Sequence, residues 1–365
     1  MTASDLTSKI VYVVGARPNF VKMAPVVAAL RARLPDAKHV IVHTGQHYDK
    51  VMSDIFVDQL GMPQPDHLLG VGSGSHAQQT ARVMERLEPI LEAEGPDLVI
   101  VPGDVNSTLA ASLVAAKLCV PTAHLEAGLR SFDRSMPEEI NRIVADEFAD
   151  LLLAHSDEAL ENLAREGIEP SRVHLVGNTM IDALVACEPR FRPLGVAASM
   201  GLEPGSYVLV TLHRPALVDG PLLGAVMDEL ERLSESAPVV FPVHPRTRAR
   251  LDGRAIGDRV TLLDPIGYLE FLSLEAEAGA VLTDSGGVQE ETSYLGVPCF
   301  TLRSSTERPV TVRLGTNTML GLDPVAIRRV SLLPGPAEPP RITGWDGKAA
   351  ERVASVVADY LAART

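Results

Sequence analysis

Short runs of β-branched and apolar residues recur along the chain, each bounded by turn formers and followed by a longer stretch with helical spacing. In the first half these runs predict strands at Ile10–Val14, His39–His43, Leu98–Val101, Thr122–His124, Leu151–Ala154 and Val173–Val176. In the second half they predict strands at Tyr207–Thr211, Val239–Val243, Val260–Leu263, Ala280–Thr283 and Cys299–Leu302. Alternation of this kind points to parallel sheets, because a parallel pair needs a crossover connection, usually helical. After Ser75, Ala77, Thr80, Ala81, Met84, Leu87 and Leu91 fall on one predicted helical face, and Ser75 with Gln78 reads as a capping box. A last amphipathic helix is predicted near Lys348–Leu361, with Val353, Val356, Val357, Tyr360 and Leu361 apolar.

The stretch Cys187–Gly205 carries three prolines and breaks both periodicities, which places a domain boundary there. The expected division is a first domain over 1–187, a linker over 188–205, a second domain over 206–345 and a terminal helix over 346–365. Two Rossmann-like, doubly wound α/β domains facing a central cleft fit this order of elements. Ligands of such sheets sit beyond the carboxyl ends of the strands, so the residues just after each strand carry the argument.

Composition narrows the class. A chain of 365 residues suits two domains, and 46% hydrophobic with 22% charged residues marks a globular protein rather than a disordered one. With 33 basic against 47 acidic side chains, the net charge of −14 argues against a generally basic nucleic-acid binder. No apolar run approaches the roughly 18 residues of a membrane span, and the start, MTASDLTSK, lacks the features of a secretory signal. The three cysteines are too scattered for a zinc knuckle or a disulfide framework. These features lead to the expectation of a soluble cytoplasmic protein.

Several strand ends carry candidate chemistry. Arg17 and Lys22 follow the first strand, where a tight turn with two solvated cations is the plain alternative to an anion site. Ser285, Gly286 and Gly287 follow the strand VLTD and open a helix, so backbone N–H groups can approach a phosphate there. Arg308 follows the next strand and adds a cation beside the same crevice. The Walker pattern is absent, and Gly70–Gly74 does not follow the dinucleotide fingerprint. Asp104 and Glu126 stand where strands meet the crevice, and clustered carboxylates can hold different protonation states for acid–base work. Glu138 and Glu139 open a helix, where an acid is ordinarily a partner of the helix dipole. His213, Arg214 and His244 follow two adjacent strands. His43 and His47 are four apart in a strand and glycine context that does not suit a helical zinc pair.

Together the segments GARPNFVKMAPV, TGQHYD, PGDVNSTLAASL, HLEAGLR, MPEEINR, GNTMIDAL, TLHRP, PVHPR, TDSGGVQEE and TERP resemble, in order, those of the bacterial non-hydrolysing UDP-N-acetylglucosamine 2-epimerases. The resemblance runs from the first strand to the final helix. It implies the two-domain GT-B fold, with the C-terminal helix crossing back to the first domain. It also implies interconversion of UDP-GlcNAc and UDP-ManNAc by elimination of UDP to 2-acetamidoglucal and re-addition, with no cofactor and no metal. Asp104, Glu126 and Glu138 match the catalytic carboxylates, with Lys22 and His213 as supporting groups. Ser285, Gly286 and Gly287 match the diphosphate site, helped by Arg17, while Glu291 matches the ribose ligand, Phe271 the residue flanking uracil, and Arg308 the site arginine. A homodimer is the implied assembly, with a UDP-sugar as the partner and neither nucleic acid nor membrane.

The resemblance further implies an activating UDP-GlcNAc site, of which Gln46, His47, Arg214 and His244 are the remnant. Ser73 stands where that site has an arginine and Asp49 where glutamine is common, so activation is not expected. Val105 and Pro215 also depart from the family pattern. Related activities with the same motifs are epimerisation of a diacetamido uronic acid UDP-sugar and a hydrolysing reaction that releases ManNAc and UDP. A GT-B glycosyltransferase would need an acceptor groove instead of carboxylates at both faces of C2, and a sugar-nucleotide sensor would need neither Asp104 nor Glu126.

Overall fold

The apolar runs become buried parallel strands, as continuous Val, Ile and Leu content dictates for sheets covered on both faces. The computed structural model describes residues 8–45, 59–218, 220–251, 253–254, 256–332, 335 and 338–364. The chain divides into two units, the first Met1–Val185 with Thr343–Thr365 and the second Ala186–Ile342.

Unit 1 holds strands β1 (Lys9–Val14), β2 (Lys38–His43), β3 (His67–Leu68), β4 (Leu98–Pro102), β5 (Thr122–Ala127), β6 (Leu151–Ala154) and β7 (Val173–Leu175). They form a parallel sheet in the order β3-β2-β1-β4-β5-β6-β7. Its helices are α1 (Arg17–Arg33), α2 (His76–Glu94), α3 (Asn106–Lys117), α4 (Pro137–Phe148), α5 (Asp157–Arg165) and α6 (Thr179–Phe191), the last running into unit 2. One core packs Ile10, Tyr12 and Ile100 against Met23 and Val27 of α1; the other packs Val11, Val99 and Val101 against Val83 and Leu87 of α2 and Val114 of α3.

Unit 2 holds β8 (Val208–Thr211), β9 (Val239–Pro242), β10 (Val260–Leu263), β11 (Ala280–Thr283), β12 (Cys299–Thr301) and β13 (Asn317–Met319), parallel in the order β10-β9-β8-β11-β12-β13. Its helices are α7 (Val196–Ser199), α8 (Pro215–Val218), α9 (Leu222–Ser234), α10 (Pro245–Leu251), α11 (Tyr268–Glu277), α12 (Gly286–Leu295) and α13 (Pro309–Arg313). Each sheet reverses direction beside its first strand, which is the doubly wound arrangement. The chain then returns to unit 1 through α14 (Ala349–Ala362), whose Val353, Val357 and Leu361 join the core of Met23, Val27 and Leu30. Asp182 accepts hydrogen bonds from the N–H groups of Ala349 (3.1 Å) and Ala350 (2.7 Å), satisfying the first turn of that helix.

Three expectations need correction. Residues 188–205 are not an open linker: α6 continues to Phe191, Arg192–Leu194 forms a 3₁₀ turn, and Phe191 and Ala197 are fully buried in unit 2. Pro189 and Pro193 sit inside these helical turns and shape them. The buried face of α2 is Gln79, Val83, Leu87 and Leu91, with Ala77 and Ala81 exposed. Gln79 tolerates burial because its amide donates to the Gly72 carbonyl (3.4 Å) and accepts from Asn106 (2.8 Å). Glu126 does not follow β5 but lies within it. The capping box holds, with Ser75 Oγ accepting from the Gln78 N–H and the Gln78 side chain accepting from the Ser75 N–H.

Candidate functional site

In unit 1 the sheet order sets β4 beside β5, so the residues at their carboxyl ends meet. Gly103 turns the chain out of β4 with φ +64°, and Asp104 follows. Asp104 Oδ2 accepts from Arg142 Nε (3.0 Å) and Nη2 (2.5 Å), and the Asp104 carbonyl accepts from Asn141 Nδ2 (2.8 Å). Two side chains of α4 thereby hold the Asp104 turn. Arg142 is itself held by Glu139 (2.7 Å), and Glu139 accepts from the N–H groups of Ser131 (2.8 Å) and Phe132 (2.9 Å) and from the Ser131 hydroxyl (2.9 Å).

Glu126 has φ +69°, and the β5–β6 register slips between Leu125 and Ala127, so the residue occupies a bulge in a left-handed conformation. A non-glycine residue there is strained, and such strain is retained mainly where surroundings fix it for function. Its Oε2 pairs with Lys22 Nζ at 2.5 Å, and both side chains are buried. Its Oε1 is buried without a hydrogen-bond partner among the described residues. A Cβ on Gly103 would lie 3.3 Å from Lys22 Nζ and 3.5 Å from Glu126 Oε2, so glycine lets the Asp104 turn press onto this ion pair. Glu138 sits half-buried in the first turn of α4, the same helix that supplies Arg142.

In unit 2, β11 ends at Thr283 and α12 begins at Gly286 with Ser285 as its N-cap residue. A Cβ on Gly286 would strike Arg308 Nη1 at 2.5 Å, so the guanidinium lies directly on the glycine turn. Glu290 (2.6 Å) and Glu307 (3.4 Å) aim Arg308, and Arg303 grips Glu307 in turn. A helix start beside a fixed arginine has the chemistry to receive an anion. Buried Asp284 ties His213 to this turn: it accepts from the His213 N–H (2.9 Å), the Arg214 N–H (2.8 Å) and His213 Nδ1 (2.9 Å). Burial raises the Asp284 carboxyl, but the His213 side chain and these N–H donors outweigh it and hold the carboxyl below its usual range.

Glu291, on α12, accepts from the Tyr268 hydroxyl at 2.8 Å. Burial pushes its carboxyl up to about 7, against the Tyr268 bond and with help from neighbouring Glu290. Glu275 of α11 is fully buried, both oxygens without a hydrogen-bond partner among the described residues, and burial together with Glu291 raises it well above the usual carboxylate range. Phe271 lies half-buried on α11.

The family model for UDP-N-acetylglucosamine 2-epimerase matches residues 29–358. The chain belongs to this family. A curated relative of the same name from Methanocaldococcus jannaschii is 42% identical, aligned over 86% of this chain and 88% of the relative. UDP-2,3-diacetamido-2,3-dideoxy-D-glucuronate 2-epimerase of Pseudomonas aeruginosa is 43% identical over 86% of this chain and 88% of its own. The crystal structure of the M. jannaschii UDP-GlcNAc 2-epimerase in complex with UDP-GlcNAc and UDP superposes with a TM-score of 0.88 at 39% identity, covering 96% of this chain and 99% of that one. The two doubly wound units are thus those of a GT-B-like epimerase.

Within this epimerase fold, unit 1 brings together Asp104, Glu126 and Lys22, with Glu138 on the helix that grips Asp104. Unit 2 brings together His213, Arg214, Ser285, Gly286 and Arg308. Gly287 continues the α12 turn. Arg17 opens α1, and its side chain lies outside what the structure describes. Gln46, His47 and Asp49 lie outside the described residues. His244 is exposed after β9, and Ser73 is exposed in the loop before α2. Among the described residues no helix is long and apolar enough to cross a membrane, and no group of three or more His, Cys, Asp or Glu is placed to hold a metal. Arg142 and Asp284 are supports that sequence reading missed, and Glu139, read only as a partner of the helix dipole, holds Arg142 and the Ser131–Phe132 backbone instead.

Proposed function

We propose that the protein interconverts UDP-GlcNAc and UDP-ManNAc by inverting C2 of the hexose, acting as a cytoplasmic homodimer. The observation that carries this reading is the placement of Asp104 and Glu126 at the ends of adjacent strands in a chain of this family. C2 bears an acetamido group and no neighbouring carbonyl, so its proton is not acidic in the intact sugar. Breaking the C1–O bond sends that electron pair out with UDP and builds positive charge at C1. A carboxylate then takes the C2 proton, and the C2–H electron pair closes the C1=C2 double bond of 2-acetamidoglucal. Re-addition of the UDP oxygen to C1, with a proton delivered to the other face of C2, yields the epimer. The sequence is redox-neutral.

Inversion needs proton-handling groups for two faces, a role that falls to Asp104, Glu126 and Glu138. Lys22 and His213 are the supporting groups for the reacting sugar. Ser285, Gly286, Gly287, Arg308 and Arg17 stabilise the departing diphosphate, because fixed donors aimed at developing charge lower the barrier most. Glu291 accepts from the ribose hydroxyls, and Phe271 flanks the uracil. With Ser73 in place of the activating arginine, the rate is expected to saturate hyperbolically with UDP-GlcNAc; a sigmoidal curve overturns that part.

Incubation with UDP-GlcNAc in deuterated water, followed by NMR, tests the reading. Deuterium at C2 of both recovered UDP-sugars is expected. Free ManNAc would identify a hydrolysing enzyme, and absence of exchange rejects epimerisation of this sugar. The 43% identity to the Pseudomonas enzyme favours one second reading, UDP-2,3-diacetamido-2,3-dideoxy-D-glucuronate as substrate. Running that sugar alongside separates the two by their relative kcat/KM.

A further inference from the structure

His124 and Asp146 form a fully buried pair beneath the two strand-end carboxylates. His124 Nδ1 lies 2.6 Å from Asp146 Oδ1, and His124 Nε2 lies 2.7 Å from the Gly103 carbonyl oxygen. A carbonyl only accepts, so Nε2 carries a hydrogen and donates it. The Gly103 peptide is thereby held on both sides by β5, since its N–H also donates to the Leu125 carbonyl at 2.9 Å. Asp146 Oδ2 meanwhile accepts from the Gly128 N–H (3.0 Å) and from Arg130 Nη2 (2.7 Å). Arg130 is anchored further by Glu166.

These bonds converge on one segment. His124 precedes the strained Glu126 by two residues and Gly128 follows it by two, so the pair grips β5 on both flanks of the bulge. The same ring fixes the carbonyl one residue before Asp104. We infer that His124 and Asp146 are positioning residues, a clamp that sets the Asp104 carboxylate relative to the Glu126 carboxylate and on whose hydrogen bonds turnover depends. This rests on the proposed roles of those carboxylates. It assigns work to two residues that touch no substrate.

Two substitutions separate geometry from charge. Asp146→Asn preserves every bond: its Nδ2 donates to His124 Nδ1, and its oxygen accepts from Gly128 and Arg130. His124→Phe keeps a ring of similar size and removes both bonds. The expectation for His124→Phe is a fall in kcat of about 10- to 100-fold, as displacement of reacting groups by about 1 Å produces, with UDP affinity unchanged. Asp146→Asn is expected to stay within a few-fold of the parent. Parental kcat in His124→Phe, parallel loss of UDP affinity, or equal loss in Asp146→Asn would each overturn the clamp. Should His124→Phe fail to fold, Asp146→Ala, which frees Gly128 and Nδ1, carries the same expectation. Amide hydrogen exchange at Gly103, Glu126 and Gly128 provides a readout independent of turnover, quickened by His124→Phe and not by Asp146→Asn. If the parent turns over no UDP-sugar, the functional reading falls while the exchange experiment still decides the clamp.

Discussion

Glu126 gives one carboxylate oxygen to Lys22 Nζ at 2.5 Å and keeps the other buried, with no hydrogen-bond partner among the described residues. Removing one partner of a buried pair leaves an uncompensated charge, so Lys22→Met is expected to lower stability by about 3–5 kcal/mol. Adding Glu126→Gln should recover part of that loss. Urea unfolding of the single and double variants checks both, and a single variant as stable as the parent contradicts the buried pairing.

Asp104→Asn and Glu126→Gln retain shape while removing the proposed acid–base group. Turnover is expected to fall by roughly a hundredfold to ten-thousandfold, the range typical of general acid–base groups. UDP affinity by calorimetry should change little, because the proposed work of both residues is at the sugar. Parallel loss of UDP binding would mark them as structural.

At Gly286, in the α12 turn, a methyl group would run into the Arg308 guanidinium. The guanidinium is the far end of a flexible chain, so Gly286→Ala should fold with a Tm within a few degrees of the parent. Displacing a charge-assisted donor costs about 1.5–3 kcal/mol, so UDP affinity is expected to weaken at least tenfold. Unchanged affinity would remove Arg308 from the diphosphate site.

Glu291 links pH to both stability and binding. Its carboxyl is raised by burial to about 7 from an ordinary 4.5, so between these values the folded state binds more protons than the unfolded one. Its contribution is therefore fully present below about 4.5 and is lost as pH rises through 7. Glu291→Gln should gain stability relative to the parent at pH 8 compared with pH 4.5. UDP-GlcNAc affinity should move the opposite way in the parent, rising through pH 7 as the carboxylate proposed to accept from the ribose hydroxyls ionises. The variant should lose that rise, which calorimetry at pH 6 and pH 8 would detect.

Most strands were legible because burial on both faces imposes continuous apolar runs, as in Leu98–Pro102 and Leu151–Ala154. The edge strands His67–Leu68 and Asn317–Met319 were not, being too short to carry a period. Asp104 was visible from its place after a strand. Glu126 was displaced in the reading because a bulge inside β5 resembles a strand end when only propensity is considered. The roles of Arg142, Glu139, Asp146 and Asp284 stayed hidden for a different reason. Each residue is a buried ion with at least one partner on another element, and an isolated charge in a sequence ordinarily reads as solvated surface.

The return of α14 to unit 1 has a consequence for how the protein is made. Asp182 and the apolar face of α1 wait for a helix encoded more than 150 residues later, as the spacing from Asp182 to Ala349 shows. On the ribosome, the second Rossmann-like unit therefore has its whole sequence in hand before the first can seal its core. The core of the first unit is completed by a segment that follows the whole of the second.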